Sequence, residues 1–498
     1  MGSLHLGFSN FHIDANYMVK TVEGDLLGGR DYSSTDGKLE RSLSNRHIQL
    51  ISIGGAIGVG LFMGSGKTIS LSGTSIILTY AIIGFFLFLM MRAMGELLLS
   101  NLNFKSFADF CAAYLGPSAS FYVAWSYWLA WAVAVISECV IVGGYAQFWW
   151  PDLPAWIPAA GTLSILLLLN ILTVKLFGEI EFWFAIIKIV AILTLILVSG
   201  YLISTAYVSP GGVEASLGNL LDRSVFMPHG IMGFLAGFQI AIFSFAGIEL
   251  VGTTAAETKD PLKNLPRAIN SVPIRILVFY VLTIASIVSV CSWAKIEATS
   301  SPFVQLFLLA GLPMAAGAIN LVVTLSAMSS ANSGVYSTSR MLYGLALEKD
   351  APAYFKKLSR ASVPMRSLLF SCGCMLAGLA MLFVIPDIMT AFTLLSTICA
   401  ILYIFVWSMI LAAYIAYRKK RPDLHEKSAF KMIGGVPMAY GCLTFFAVMI
   451  GILALEPDTL RALLMTPIWF IFLFLVNRKM NKDERHRILS TGVRLEKP

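Results

Sequence analysis

The sequence predicts an all-α integral membrane protein of twelve transmembrane helices. Three observations carry that expectation. The 498 residues are 57% apolar and 13% charged, more apolar surface than a water-soluble domain can hide, so lipid is the expected solvent for most of the chain. Apolar runs of about 20 residues recur along its whole length. All but four of the 36 Lys and Arg fall in the tails, in alternate loops, or at the run ends beside them, the exceptions being Lys67, Arg223, Lys295 and Arg461.

The runs lie near residues 48–69, 75–97, 121–148, 155–173, 183–204, 231–256, 275–293, 303–338, 367–386, 389–416, 437–455 and 461–477. An even number returns both tails to one side, and the basic bias places that side in the cytoplasm. The chain then divides into an N-terminal tail (1–45), a transport core of helices 1–10 (46–417), helices 11–12 (418–478) and a C-terminal tail (479–498). Residues 1–45 are polar, so the first span is expected to act as its own insertion signal. The outer connections are short and carry turn and interface residues, as in Trp149-Trp150-Pro151-Asp152-Leu153-Pro154. The inner segments 257–275, 340–366 and 418–431 are richer in charge.

The formal charge of +8 orients such a protein in a membrane; it implies lipid as a partner and no nucleic acid. The seven Cys lack metal-ligand spacing, and the close pair Cys372 and Cys374 sits inside a span. They read as apolar filler, and no metal or cofactor is expected. Gly64-Ser65-Gly66-Lys67-Thr68 imitates a phosphate loop, but Leu61 stands where its first glycine belongs and no strand precedes it. Lys67 reads instead as an anchor at the outer end of span 1.

Two spans are abnormal. Span 1 carries Gly54-Gly55-Ala56-Ile57-Gly58-Val59-Gly60, and span 6 carries Phe243-Ser244-Phe245-Ala246-Gly247-Ile248-Glu249 with a carboxylate in an otherwise apolar run. Glycine weakens a helix by about 1 kcal/mol relative to alanine; close helix packing is the competing explanation for small residues. Spans 1 and 6 each open a five-span half, and because five is odd the halves insert in opposite directions. Interrupted helices at matching positions of an inverted repeat point to a transporter's binding site. An opened helix exposes amides on one side and carbonyls on the other, matching the carboxylate and ammonium of a zwitterion.

Other polar residues inside spans have two readings each. Lys188 lies about two turns into span 5, shallow enough to snorkel to the interface and deep enough to carry a proton if desolvated. Glu138, in mid-span 3, is a functional candidate by its depth, with no partner visible in the sequence. Arg92 and Glu96 stand at i, i+4 near the inner end of span 2 and are expected to pair. Ser326, Ser329, Ser330, Asn332, Ser333, Ser337, Thr338 and Ser339 put polar groups through the inner half of span 8, for helix packing or for a water-lined pathway.

These residues together resemble the amino-acid permeases of the amino acid–polyamine–organocation superfamily. The likeness runs through Ser72-Gly73 to Gly95-Glu96, the two glycine-interrupted motifs, Lys188 and Ala255-Ala256-Glu257-Thr258-Lys259-Asp260-Pro261, and covers roughly residues 40–478. Asn45-Arg46-His47-Ile48-Gln49-Leu50, Gly247 to Thr254 and Ser330-Ala331-Asn332-Ser333-Gly334 most resemble members that take small amino acids. The resemblance implies a five-plus-five inverted-repeat fold with two further helices, and proton-coupled import of glycine, D- or L-alanine and D-serine by alternating access in a bacterial inner membrane. It further implies that the substrate carboxylate faces Ala56, Gly58, Val59 and Gly60, and that its ammonium meets carbonyls of Phe243, Ser244 and Ala246. Ile248 matches a gating position, Lys188 the proton-coupling lysine and Glu138 an acidic position of span 3; Glu249 is a further acidic candidate. Val59 stands where relatives often have threonine, and Thr74 where a small residue or proline is usual. The alternatives are a permease for 4-aminobutyrate or an aromatic amino acid, or an amino-acid sensor that moves nothing. No nucleophile–base pair in the spans suggests an enzyme.

Overall fold

The computed structural model describes residues 57–104, 106–171, 174–210, 212–221, 223–253, 258, 260–359 and 363–490. Gly54, Gly55 and Ala56 of the first glycine-rich motif lie outside the described residues. Among those described, ten helical segments are long and apolar enough to cross a membrane, and Trp156–Ile171 is a shorter apolar helix. The first segment, Gly64–Ser100, is made of the helices Gly64–Ser72 and Ile76–Ser100, with a turn at Gly73, φ +59°.

The helices that matter for function are α1 (Val59–Phe62), α2 (Gly64–Ser72), α3 (Ile76–Ser100), α4 (Phe107–Leu115), α5 (Pro117–Gln147), α6 (Trp156–Ile171) and α7 (Val174–Ser204). They continue with α8 (Gly230–Ala236), α9 (Phe238–Ala241), α10 (Leu250–Thr253), α11 (Pro261–Val290), α12 (Pro302–Leu309) and α13 (Pro313–Leu347). The last five are α14 (Met365–Leu379), α15 (Ile388–Lys420), α16 (Pro422–Lys427), α17 (Gly435–Ile452) and α18 (Pro457–Ser490).

Hydrophobicity all round a helix means enclosure by other helices or by lipid, and burial separates the two cases here. The apolar segment of α5 is 89% buried, whereas that of α18 is 22% buried and shows Leu464, Ile468, Ile471 and Leu475 outward. Thus α5 is the axis of the molecule, packed along its length by α13 and α15. The α5–α13 contact needs a glycine: a Cβ on Gly334 would collide with Val135 and come within 3.0 Å of Trp131.

Several boundaries differ from the apolar runs. The expected span at 303–338 is two helices, α12 and α13, because Gly311 (φ +72°) ends one and Pro313 starts the next. Helices also run beyond the apolar stretches: α11 begins at Pro261 and α13 continues to Leu347, within segments read as charged loops. Between spans 2 and 3, Ser106 and Asp109 form a capping box that starts α4.

Arg92 and Glu96 sense each other's charge, but each finds its hydrogen-bond partners elsewhere. The segment around α16 folds over this end of α3 and supplies partners closer than the helix surface offers. Glu96 is fully buried and accepts from Met432 N–H at 2.7 Å and from His425 Nδ1. Arg92 donates to Asn270 Oδ1 at 2.9 Å and to the Lys431 carbonyl, and lies over the Phe430 ring. Lys67 ties α2 to later helices, donating to Thr393 at 3.1 Å with Asp458 at 3.9 Å.

Candidate functional site

Two non-helical stretches, at the start of α1 and between α9 and α10, interrupt the apolar runs of spans 1 and 6 and meet beside α5. At the first, Gly58 is extended (φ −134°, ψ −157°) and caps α1, which lasts one turn before α2 begins at Gly64. At the second, α8 and α9 pass into a 3-10 turn at Phe243–Phe245, Ala246 is extended (ψ 138°), and Gly247 takes φ +95° before α10 begins at Leu250. Only glycine adopts that last conformation without strain. The two interruptions touch: a Cβ on Gly60 would lie 2.6 Å from Ser244 Cα.

A helix start leaves amides without intrahelical partners. Here the Val59 N–H donates to both Glu138 oxygens, at 3.3 and 3.2 Å. This supplies the partner for Glu138 that the sequence alone left open. Gly58 has no room for a side chain, since a Cβ would meet Glu138 Oε1 and would come 2.8 Å from Ser330 Oγ. On the other interruption, the Phe243 carbonyl accepts from Ala246 N–H at 3.0 Å and the Ser244 carbonyl from the Tyr280 hydroxyl at 2.6 Å. Each carbonyl has a second lone pair to offer. The Ser244 hydroxyl pairs with Tyr80 at 3.1 Å.

Between the interruptions is a small cavity lined by Gly58, Gly60, Glu138, Phe243, Ser244 and Ala246, with Trp131, Ala134, Ser330 and Tyr403 completing the wall. Seven of the residues singled out in the sequence, Ser330 among them, thus come together. Val59 contributes its amide, and its side chain is buried beside the cavity. Ile248 is fully buried behind the second interruption and is not part of the lining. A groove between α15 and α18, at Ile401, Leu463, Pro467, Phe470 and Phe474, is apolar apart from Thr466. The Thr466 hydroxyl donates back to its own helix, so the groove has nothing to hold a zwitterion.

Three further charged residues, Lys188, Glu181 and Glu249, are buried without lining the cavity. Lys188 is fully buried on α7, not extended toward an interface, and lies within electrostatic range of Glu138 and Glu181. Glu181, two turns before Lys188 on the same helix, accepts from Ser329 of α13 at 2.9 Å. Glu249 is buried where α10 begins; its two oxygens take the Tyr127 hydroxyl at 3.0 Å and the Trp407 indole N–H at 3.3 Å. It therefore clamps the second interruption to α5 and α15.

The polar run of α13 divides between two roles. Ser326 donates to the Ile57 carbonyl, Asn332 accepts from Asn170, and Ser330 faces the cavity. Thr338 and Ser339 return their hydroxyls to their own helix. Sequence reading passed over Trp131, Ala134, Tyr403 and Glu181. The first two had a legible signal: with Glu138 they fall at i, i+3 and i+7, one face of α5. Tyr403 and Glu181 carried no signal beyond a polar group in an apolar run.

Interrupted membrane helices that meet across an enclosed, partly polar cavity define a helical membrane transporter. The chain belongs to the amino acid permease family, whose sequence pattern it matches over residues 47–488. It is 57% identical over 443 residues to the D-serine/D-alanine/glycine transporter of Escherichia coli K12, covering 89% of this chain and 94% of that protein. It is 45% identical over 459 residues to the amino-acid permease AapA of Bacillus subtilis, covering 92% and 98% of the two chains. To the aromatic amino acid transport protein AroP of Escherichia coli K12 it is 38% identical over 436 residues, covering 88% and 94%. This is an integral membrane amino-acid permease, not an enzyme.

Proposed function

We propose that the protein is a proton-coupled symporter that imports small neutral amino acids (glycine, D- and L-alanine, D-serine) by alternating access. In this reading it has twelve spans, with helices 1–10 forming an inverted repeat, and sits in a bacterial inner membrane with both termini cytoplasmic. The observation that carries the proposal is the Glu138 carboxylate on the Val59 amide, inside the first interruption. An amide that holds one carboxylate there is suited to hold another, the substrate's, and the two compete for it.

The competition couples substrate to proton. A protonated Glu138 is a weaker acceptor, because charge-assisted hydrogen bonds are roughly twice as strong as neutral ones. Proton arrival therefore frees the amide for the substrate carboxylate, with Gly58, Gly60 and, outside the described residues, Ala56 shaping the approach. The ammonium meets the carbonyls of Phe243, Ser244 and Ala246, whose first lone pairs are partly engaged and whose positions are held by Tyr280 and the 3-10 turn. Lys188 exchanges the proton with Glu138, and Ile248 moves with the second interruption as the site closes. A potential of 100 mV supplies roughly 2.3 kcal/mol per charge, about fiftyfold accumulation per proton.

The preference for small substrates draws support from the 57% identical transporter of D-serine, D-alanine and glycine, and from a cavity walled by Trp131, Phe243 and Tyr403. Uptake of labelled glycine, D-alanine, D-serine, 4-aminobutyrate and phenylalanine into proteoliposomes, with and without an inward proton gradient, tests the reading. Gradient-driven accumulation of the first three is expected. Preference for 4-aminobutyrate or phenylalanine would replace the substrate assignment, and binding without uptake would make the protein a sensor.

A further inference from the structure

Four aromatic rings from α5 and α15 form one cluster behind and beside the cavity. Tyr127 and Trp131 have centroids 6.4 Å apart, Trp131 and Tyr403 6.2 Å, Tyr127 and Tyr403 6.1 Å, and Tyr403 stacks on Trp407 at 5.8 Å. The polar tips of this cluster are not treated alike. Those of Tyr127 and Trp407 are both satisfied by Glu249, and neither residue lines the cavity. Tyr403 does line it, is fully buried, and its hydroxyl has no hydrogen-bond partner among the described residues. Buried hydroxyls normally find a partner, and one left without it has lost its water for nothing.

The Trp131 indole N–H, in the same wall, likewise has no partner among the described residues, whereas the other polar side chains of the wall are engaged. Ser244, also in the lining, is engaged with Tyr80, and Ser330 faces Glu138 across Gly58. Trp131 presents its ring edge-on to Tyr403, at 86°, and cannot swing away because Gly334 of α13 packs against it, leaving 3.0 Å for any added Cβ. Ala134, one turn on, keeps α5 from filling the space.

We infer that Tyr403 and Trp131 form a side-chain subsite in which the Tyr403 hydroxyl hydrogen-bonds a hydroxyl on the substrate, so that the permease selects serine over an amino acid of equal size lacking that group. The inference rests on the cavity being the amino-acid site, as proposed above. The substrate's ammonium and carboxylate occupy the two interruptions, and its side chain projects toward the aromatic wall. Trp131 limits the length of that side chain, and Tyr403 rewards a hydroxyl at its end. Glycine and alanine fit the same space without making the bond.

The test compares D-serine with D-2-aminobutyrate, which replaces the hydroxyl by a methyl group, as competitors of labelled glycine uptake in proteoliposomes of the wild-type protein. D-serine is expected to compete at about fivefold lower concentration, the size of one net hydrogen bond. Tyr403→Phe, which keeps the ring and its packing, is expected to bring the two competitors to the same concentration. Equal competition in the wild type, or a serine advantage that survives Tyr403→Phe, overturns the subsite. The wild-type comparison stands by itself if the variant does not fold. If wild-type protein takes up no glycine at all, it is the parent reading of the cavity that fails, and the subsite goes with it.

Discussion

The backbone amide of Val59 donates to both oxygens of Glu138, joining the start of an interrupted helix to the middle of the most buried one across 79 residues of sequence. The amide begins a helix and lacks an intrahelical acceptor, and the carboxylate, at 4% exposure, is the sole charged side chain of its helix, with Ser330 and Lys188 as its other neighbours. In the proposed mechanism, the substrate carboxylate competes with Glu138 for this amide.

Glu138→Gln removes the anion and keeps the shape. Accumulation driven by a proton gradient is expected to fall at least tenfold, while exchange of labelled for unlabelled alanine across the membrane persists. Comparing gradient-driven uptake with counterflow in the same vesicles separates the two. Full gradient-driven uptake by this variant would sink the competition mechanism.

Lys188→Ala should give the same signature for a different reason. It removes the buried cation that lies in range of Glu138 and Glu181 without touching the cavity lining. Exchange without accumulation is the expected pattern in the same vesicles. Wild-type accumulation would show that the proton travels by another route.

Gly60→Ala forces a methyl group to within 2.6 Å of Ser244 Cα. The methyl is fixed rigidly to its own Cα and meets the backbone of Ser244, which yields poorly, so the interruptions must move apart at a cost of about 1–3 kcal/mol. Lower thermal stability in detergent and transport reduced by an order of magnitude or more are expected. Gly161→Ala serves as a control, since nothing lies within 4 Å of the added carbon there.

Glu249→Gln keeps one acceptor but turns an amide N–H₂ toward a donor, either the Tyr127 hydroxyl or the Trp407 indole. One buried donor is left unpaired, worth about 1–3 kcal/mol. The expected result is a reduced melting temperature in detergent together with weaker substrate binding, because the second interruption loses its clamp to α5 and α15. Unchanged melting would show that Glu249 does not hold the second interruption in place.

Composition and periodicity were sufficient for the membrane class, the helical fold and the break at Phe243–Gly247. These are local properties: apolar length decides insertion, and clustered glycine lowers helix stability wherever it occurs. The sequence also placed Glu138, Lys188 and Glu249 among the residues to watch, because a charge in an apolar run has few structural excuses. It misjudged Arg92 and Glu96. Spacing of i, i+4 makes neighbours, but Met432, His425 and Asn270 supplied the actual partners from distant segments.

Tertiary structure alone decided which of these groups meet. It set the Glu138 carboxylate on the Val59 amide, divided the aromatic tips between Glu249 and the cavity, and brought Gly60 against Ser244. A helix's own sequence reveals which residues share a face, but not which other helix that face will touch or at what height. That depends on packing summed over many helices, where a single glycine such as Gly334 sets how closely two of them approach.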